Sequence, residues 1–192
     1  MAVAEGLGRK VRTVRESRKL SRQEMAERAA LPAELVAQIE GDELVPSLSL
    51  LLRIARVLGV RLGTFLDDQE NVGAVVTRSG ELPRVTRFSS RIHAGPSSDL
   101  DFHSLAVNKS GRHMEPFLID IHPSSAESVQ PSSHEGEEFI HVFEGEVEVL
   151  YGKDTYRLGV GDSIYYDSVV SHHVHCSGGD TARILAVVYA PL

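Results

Sequence analysis

Residues 132–149 read SSHEGEEFIHVFEGEVEV, and this stretch decides the fold of the C-terminal half. Residues 138–143 form a short, largely apolar run, and Gly145 separates it from a second run, 146–149, in which Glu and Val alternate. A period of two is typical of a β-strand with one buried face. The pattern therefore predicts two strands on either side of a turn. In the first strand the inward residues are Glu138, Ile140 and Val142, and the outward residues are Phe139, His141 and Phe143.

The rest of this half has the same character. Short alternating or apolar runs recur at intervals of about ten residues, separated by Gly, Asp, Asn, Ser and Pro; they read FLIDI, TYRL, SIYY, HHVHC and RILAVVY. No stretch here is long enough for a crossover helix, so the architecture is antiparallel, as a sandwich or a closed barrel. In the HHVHC run, alternation places His172, Val174 and Cys176 inward and leaves His173 and His175 outside.

Residues 1–66 have helical signals instead. Leu7, Val11 and Val14 recur at helical spacing, and Ser21-Arg-Gln-Glu24 is a capping box that opens a second helix. Further start signals are Pro32 and Ser47, and the matching stops are Gly41 and Gly59. With a short LGTFL segment at 62–66, the pattern predicts five short helices.

Charge divides the chain in the same place as the structural pattern. The net charge is −7, yet residues 1–66 hold eleven Lys and Arg against eight Asp and Glu, and the remainder holds nine against nineteen. A basic head on an acidic body suggests two modules with different partners. The polar stretch at 67–73 reads as a linker, and 89–99 as a loose connection between early strands. We therefore divide the chain into 1–68, 69–104 (linker and early strands) and 105–192.

Composition also restricts the cellular setting. No apolar run is as long as a membrane span, and the N-terminus lacks the apolar stretch of a signal peptide. A single cysteine, Cys176, rules out an internal disulfide framework. The expectation is a cytoplasmic protein that does not associate with membranes.

Residues 20–60 resemble the phage-repressor (Cro-like) helix-turn-helix family. Matching features include Ala26, the Ile39-Glu40-Gly41 segment, the Pro46-Ser47 cap and the Ile54-Ala55 pair. The resemblance implies that the helix at 32–40 enters the major groove of double-stranded DNA, with Gln38 addressing adenine and Glu34 a cytosine amino group. The implied DNA-contacting residues are Arg22, Gln23, Ala33, Glu34, Ala37 and Gln38, with Arg9, Arg12 and Arg15 near phosphate.

Three features depart from the helix-turn-helix pattern. Asp42 and Glu43 lie in a loop where members of that family often carry basic or neutral residues near phosphate. Ala30 occupies the tight turn where that family favours Gly, at a cost of about 1 kcal/mol if a positive φ is needed. The reading helix also offers few hydrogen-bond donors. A helical domain used only for dimerisation is the alternative interpretation. With few contacts per chain, a DNA-binding domain is expected to act as a homodimer on two half-sites about one helical turn apart.

The stretch at 132–149 resembles the first cupin motif, G-x5-H-x-H-x3,4-E-x6-G. Counted back from Gly145, Glu138 is the motif glutamate and His134 the second histidine, while Ser132 stands at the first histidine position. The second motif, G-x5-P-x-G-x2-H-x3-N, corresponds to 161–176, with His172 as its histidine. There Asp167, Val169 and Cys176 replace the motif's Pro, Gly and Asn. The resemblance implies an antiparallel β-barrel of the jelly-roll (double-stranded β-helix) type after a five-helix bundle, hence a multidomain α + β protein.

Three of the matched residues form a candidate metal site. His134, Glu138 and His172 are a facial set suited to one divalent Zn, Mn, Ni or Fe ion, with positions left open for water or ligand. The alternative is a metal-free polar cavity that binds an organic ligand directly. The positions expected to line an effector pocket are Ser132, Ile140, Tyr165, Tyr166, Val174 and Cys176.

Together the modules resemble bacterial transcriptional regulators with a Cro-like (XRE-like) head and a cupin sensor. The resemblance implies an operator-binding homodimer whose cupin domain binds a small-molecule effector and which is not an enzyme, so no catalytic residue is assigned. A metal-dependent cupin oxygenase or isomerase with a DNA-binding head is the second hypothesis. A third makes the C-terminal half a ligand-free dimerisation scaffold, which predicts a barrel filled by large side chains.

Overall fold

The structure, a computed structural model, describes residues 6–66, 73–79, 86–88, 100–109, 111–123 and 131–191, with the backbone alone for 86–88. The predicted linker, except for Gly73, and the loose stretch at 89–99 lie outside these residues.

The five predicted helices are confirmed. They are α1 (Leu7–Ser17), α2 (Arg22–Ala29), α3 (Ala33–Glu40), α4 (Leu48–Leu58) and α5 (Gly63–Leu66). The capping box before α2 is present, because Ser21 Oγ accepts the Glu24 N–H at 3.1 Å and the Glu24 carboxylate accepts the Ser21 N–H at 2.8 Å. Ser47 caps α4 in the same way, accepting the Leu50 N–H at 3.2 Å.

The turns on either side of α3 depend on residues other than glycine. Ala30, between α2 and α3, has a φ of 50°, so the predicted left-handed strain at that position is confirmed. Gly41 does end α3, but at a φ of −86° it does not adopt the left-handed conformation expected of a glycine stop. Asp42 adopts it instead, at 55°, and its carboxylate accepts the Gly8 N–H at 2.8 Å. That hydrogen bond ties the turn to α1 and offsets part of the strain.

The helical domain contains a buried carboxylate. The side chain of Glu40 is fully inaccessible to solvent and accepts two hydrogen bonds from Arg15, at 2.6 and 3.0 Å, and one from Arg22 at 2.8 Å. Burial acts to raise the pKa of Glu40, but the hydrogen bonds from Arg15 and Arg22 outweigh it, so the pKa is lowered. An ionised Glu40 therefore joins α1, α2 and α3.

Among the described residues, nine antiparallel strands follow the helices. They are β1 (Thr86–Phe88), β2 (Leu100–Ser104), β3 (Met114–Ile121), β4 (Glu137–Glu144), β5 (Val147–Tyr151), β6 (Asp154–Leu158), β7 (Ser163–Asp167), β8 (His172–Cys176) and β9 (Ala182–Tyr189). One sheet has the order β1-β2-β3-β9-β4-β7 and the other β6-β5-β8. The antiparallel architecture and the inward direction of Glu138, Ile140 and Val142 are confirmed.

The closed barrel is the part of the prediction that the structure corrects. Within the described residues the two sheets do not join into one closed cylinder. Outside the strands, one isolated bridge, between Ser132 and His172, connects β8 to the segment that leads into β4. The sheets therefore enclose a space that is open on one side.

The helical domain contacts β3 through a buried ion pair. Glu115 pairs with Arg112 at 2.7 Å and also accepts the Gly63 N–H, at the start of α5, at 3.2 Å. Arg61 donates to the carbonyl oxygens of Gly111 and Arg112 at 2.7 and 2.8 Å. A Cβ on Gly63 would lie 2.8 Å from the Arg112 guanidinium, so glycine permits this close approach.

Replacing Glu40 with Gln should destabilise the helical domain by on the order of 3 kcal/mol, because the buried Arg15 would keep only the exposed Glu16, at 3.4 Å, as a counter-ion. The folded-state pKa of Glu40 is lowered from 4.5, so its stabilising contribution is present above that pH and is lost as pH falls through the folded value. Urea unfolding of wild type and Glu40→Gln should therefore differ most near neutral pH and converge in acid. Glu34→Gln, an exposed glutamate of the same helix, should unfold like wild type; equal losses in both variants would contradict this role for Glu40.

Candidate metal and ligand site between the sheets

Backbone pairing brings the two motif histidines together. Ser132 and His172 exchange two hydrogen bonds, at 2.8 and 2.9 Å, which places the start of β8 beside the segment before β4. The His134 N–H donates to the Ser168 carbonyl at 3.0 Å, and the Ser168 N–H donates to the Gly136 carbonyl at 2.8 Å. Two motifs that lie 30 or more residues apart in the sequence are therefore joined by main-chain hydrogen bonds, which do not depend on the identity of the side chains. His134 and His172 each take part in these bonds through their backbone, so their side chains lie close together.

Gly136 makes the geometry of the first motif possible. Its φ is 110°, and an added Cβ would lie 1.8 Å from the carbonyl oxygen of Tyr189 on β9. A residue with a side chain would clash there and would also disfavour this backbone conformation. The chain can therefore pass close to β9 between His134 and Glu138, and the two side chains meet above the turn.

His134, Glu138 and His172 form a compact, buried cluster. Glu138 Oε1 lies 2.7 Å from His134 Nε2 and 3.5 Å from His172 Nε2, and one ligand atom from each residue lies within 4.8 Å of the others. The hydroxyl of Tyr166 donates to Glu138 Oε2 at 2.6 Å. All four residues are buried.

The cluster holds Glu138 as a carboxylate. Burial acts to raise its pKa, but hydrogen bonds from His134 and His172 outweigh burial, and the pKa lies well below the ordinary value. Burial acts to lower the pKa of His172. The hydrogen bond to Glu138 and the charge of that carboxylate outweigh burial, so the pKa of His172 is raised. Burial and the Glu138 charge raise the pKa of Tyr166, which stays a neutral donor.

The orientation of both imidazoles fits a metal ion. His134 Nδ1 lies 3.1 Å from the Glu135 carbonyl oxygen, and His172 Nδ1 lies 2.9 Å from that of Val170. A carbonyl can only accept, so each Nδ1 carries a proton, and in the neutral tautomer the Nε2 lone pair faces the cluster. Among the described residues this is the only group of three or more His, Cys, Asp or Glu placed to hold a metal. Without an ion, one Nε2 must be protonated to donate to Glu138.

A cavity of about 300 Å³ extends from the cluster between the sheets. Of the six predicted pocket residues, Ser132, Ile140 and Val174 line it. Tyr166 does not line the cavity itself but contacts Glu138, which does.

The structure places the other two predicted pocket residues elsewhere. Tyr165 is 63% exposed and its hydroxyl donates to Glu137, because alternation along β7 sends it outward when Tyr166 points in. The Cys176 thiol donates to the Asp180 carbonyl at 2.7 Å, at the far end of β8 and outside the cavity lining. His173, expected on the outer face, does contribute to the cavity wall.

Sequence reasoning missed the part of the cavity wall that comes from the helical domain. Five residues at the start of α4 and in its second turn line the cavity: Ser47, Leu48, Ser49, Leu50 and Arg53. Leu48 begins the amphipathic helix α4, but amphipathicity alone does not say which surface covers an apolar face. A contact between two domains has no local sequence signal.

The predicted DNA-contacting residues lie on α2 and α3. Glu34 is exposed and Ala33, Ala37 and Gln38 are half-buried, on the side of α3 that is not packed in the core. Gln23 is exposed and bonds Glu27 at 2.9 Å. The arginines are less available than expected: Arg22 is bound to Glu40 although its side chain is 46% exposed, Arg12 donates to the Glu40 carbonyl, and Arg15 is buried.

Comparisons with known sequences agree with this division. Residues 6–64 match the helix-turn-helix domain family, and residues 117–188 match the cupin domain family. The chain is 23% identical over 184 residues to the HTH-type transcriptional regulator PuuR of Escherichia coli (strain K12), covering 95% of each chain. It is also 28% identical over 164 residues to (S)-2-hydroxypropylphosphonic acid epoxidase of Streptomyces wedmorensis, covering 77% of this chain and 76% of the epoxidase.

Solved structures show the same fold. An HTH_3 family transcriptional regulator from Vibrio cholerae superposes with a TM-score of 0.68 at 20% identity, covering 97% of this chain and 96% of its own. The iron(II) form of HppE, the epoxidase, superposes with a TM-score of 0.51 at 24% identity, covering 98% and 100%. Among the described residues, no helix combines the length and apolar character required to cross a membrane.

Protein purified without chelators should contain close to one divalent metal ion per chain by elemental analysis. His134→Ala and His172→Ala should each lose most of it, because two remaining donors hold an ion poorly. His141→Ala is the matched control, since His141 lies on the outer face of β4 with its Nδ1 2.8 Å from Ser163 Oγ. Equal metal content in wild type and in His134→Ala would contradict a site at this cluster.

Proposed function

We propose that this chain, a helix-turn-helix domain joined to a cupin domain, is a sequence-specific DNA-binding transcriptional regulator whose cupin domain binds a small-molecule effector. The observation that carries the proposal is the pairing of both domains in one chain, in the order and over nearly the whole length of a known regulator. We place the DNA-binding domain at 1–68, the linker and early strands at 69–104 and the cupin core at 105–192. The expected location is the cytoplasm.

DNA recognition is assigned to α3. Its unpacked side presents Glu34 and Gln38, whose carboxylate and amide suit cytosine and adenine edges in the major groove. One short helix with so few polar groups gives little affinity on its own. A homodimer on two half-sites about one helical turn apart would supply the rest.

The effector is assigned to the cavity between the sheets. Its walls are mainly apolar, while three histidines, Glu138, Arg53 and four serines provide polar groups, as in typical small-molecule sites. A metal ion held by His134, Glu138 and His172 would supply a Lewis-acidic contact to an oxygen or nitrogen of the effector. A cavity of about 300 Å³ also argues against a purely structural scaffold filled by large side chains.

A metal-dependent cupin enzyme is the second candidate. It is favoured by the buried set of two histidines and one glutamate and by the similarity to an epoxidase whose iron(II) form is known. Against it, Glu138 is the only carboxylate among the described residues that line the cavity, and it is already bound to two imidazoles. An enzyme consumes its ligand, whereas a regulator returns it unchanged and alters its affinity for DNA.

Selection from a pool of random duplexes with the full-length protein tests the main proposal. We expect enrichment of a palindromic motif with half-sites about one helical turn apart, and an affinity that falls steeply with salt because phosphate contacts release counter-ions. Binding without any enriched sequence, or no binding at low salt, would overturn the assignment as a sequence-specific regulator.

Replacing Gln38 with Ala should reduce discrimination at one base pair of each half-site by about 1–3 kcal/mol and leave the salt slope nearly unchanged. Arg9→Gln provides the contrast, because Arg9 is exposed on α1 and is expected near phosphate. That variant should weaken all sequences equally and reduce the salt slope by about one. Affinities measured over a set of single-base operator variants at several salt concentrations separate the two effects. An unchanged base preference in Gln38→Ala would place the reading surface elsewhere.

A further inference from the structure

The ligand cavity is built by both domains. The first turn of α4 and Arg53 one turn later form part of its wall, together with residues of both sheets. Beside the cavity, Arg56 of the same helix pairs with Glu135, the neighbour of His134. A ligand between the sheets would therefore contact the DNA-binding domain directly.

Arg53 is the one uncompensated charge of the described cavity lining. The lining contains a single carboxylate, Glu138, which His134 and His172 already bind, and a single Lys or Arg side chain, Arg53. No carboxylate among the described residues pairs with Arg53, whose guanidinium donates instead to the carbonyl oxygens of Ala29 and Ala30, the latter at 2.9 Å. Neutral carbonyls satisfy its hydrogen bonds but leave its positive charge unbalanced.

Most of the remaining wall is apolar. It includes Phe102, Ile119 and Ile121 from the early strands and Ile184 and Val188 from β9. A ligand that fills this space needs a hydrocarbon body, since burying polar groups against these side chains without partners is costly. A ligand that also neutralises Arg53 needs an anionic group at one end.

We propose that the effector is a small amphiphilic anion whose apolar body packs between the sheets and whose carboxylate-like group is bound by Arg53 of the helix-turn-helix domain. The inference deepens the proposed function, because it takes the cavity as the effector site. A guanidinium paired with a carboxylate forms charge-assisted, frequently bidentate hydrogen bonds, which are about twice as strong as neutral ones. The α4 residue therefore selects for charge, and the sheets select for shape.

The same guanidinium connects the ligand to the DNA-reading element. Ala29 and Ala30 form the end of α2 and the strained turn into α3, at the φ of 50° noted above. Both carbonyls are bound by Arg53 Nη2, so an anion bound bidentately through Nη1 and Nη2 would share that nitrogen with them. Ligand binding thereby alters the support of the turn that sets the angle between α2 and the reading helix α3.

Calorimetric titration of the full-length, chelator-treated protein with octanoate, octylammonium and octanol tests the charge selection, since the three share one hydrocarbon body. We expect octanoate to bind at least tenfold more tightly than the other two. Arg53→Gln should weaken octanoate at least tenfold, and Arg53→Lys, which retains the charge, should weaken it less. Arg56→Gln is the matched control, because Arg56 lies on the same helix outside the cavity lining. It should bind octanoate as wild type does.

Three results would overturn the inference: octylammonium binding as tightly as octanoate, octanoate affinity unaffected by Arg53→Gln in a variant with a wild-type circular dichroism spectrum, or no octanoate binding. Repeating the titration with metal-loaded protein separates a carboxylate held by Arg53 from one held by the ion, since only the former responds to Arg53→Gln.

Hydrogen exchange across 26–33 should change on octanoate binding in wild type and not in Arg53→Gln. If the protein selects an operator but octanoate binding does not depend on Arg53, this inference is refuted and the proposed DNA-binding function stands. If octanoate binding depends on Arg53 but no operator is selected, the proposed DNA-binding function is refuted and this inference stands.

Discussion

An ionised carboxylate buried between two sheets is the constraint on which the C-terminal domain depends. Glu138 stays charged only because two imidazoles and the Tyr166 hydroxyl surround it, since an unpaired buried charge is strongly unfavourable. Each partner lies on a different part of the chain, so the carboxylate is satisfied only when β4, β7 and β8 are all in place. The glycine at 136 and the main-chain pairing of Ser132 with His172 are the local conditions for that assembly.

The helical domain contains a second buried carboxylate with a different consequence. Glu40 is bound by arginines, whose charge is permanent, so its network has one protonation state at ordinary pH and serves to join three helices. Glu138 is bound by imidazoles, which, unlike guanidinium groups, can lose the Nε2 proton and turn a lone pair toward a metal. The same principle, a buried acid compensated by bases, therefore gives a fixed scaffold in one domain and a site able to exchange a proton for an ion in the other.

The sequence predicted what depends on local periodicity and failed where tertiary contacts decide. Helix starts and the two faces of β4 follow from rules that act within a few residues, and they are confirmed. The left-handed turn at Ala30 followed from the helix-turn-helix resemblance and is also present. The faces of β8 were only partly predicted, because His173 lines the cavity and Cys176 does not. The placement of His134 and His172 beside Glu138 was predicted from the motif resemblance and from strand alternation. The open edge between the sheets, the withdrawal of Arg15 into an ion pair and the left-handed Asp42 in place of Gly41 all depend on which element packs against which. Contacts between distant elements cannot be predicted from patterns that extend over only a few residues.

Signalling from a cupin cavity to a DNA-binding head requires a ligand that interacts differently with two arrangements of the head. A ligand enclosed wholly by the sheets could shift that balance only indirectly, through deformation of strands that are held by many ladder hydrogen bonds. Because α4 forms part of the wall, a ligand here contacts the head itself, and each additional hydrogen bond made in one arrangement alone shifts the equilibrium by its full free energy. About 1.4 kcal/mol of such difference is a tenfold change in population. Only a single guanidinium, shared between the cavity and the α2–α3 turn, is therefore needed to make operator affinity depend on the effector.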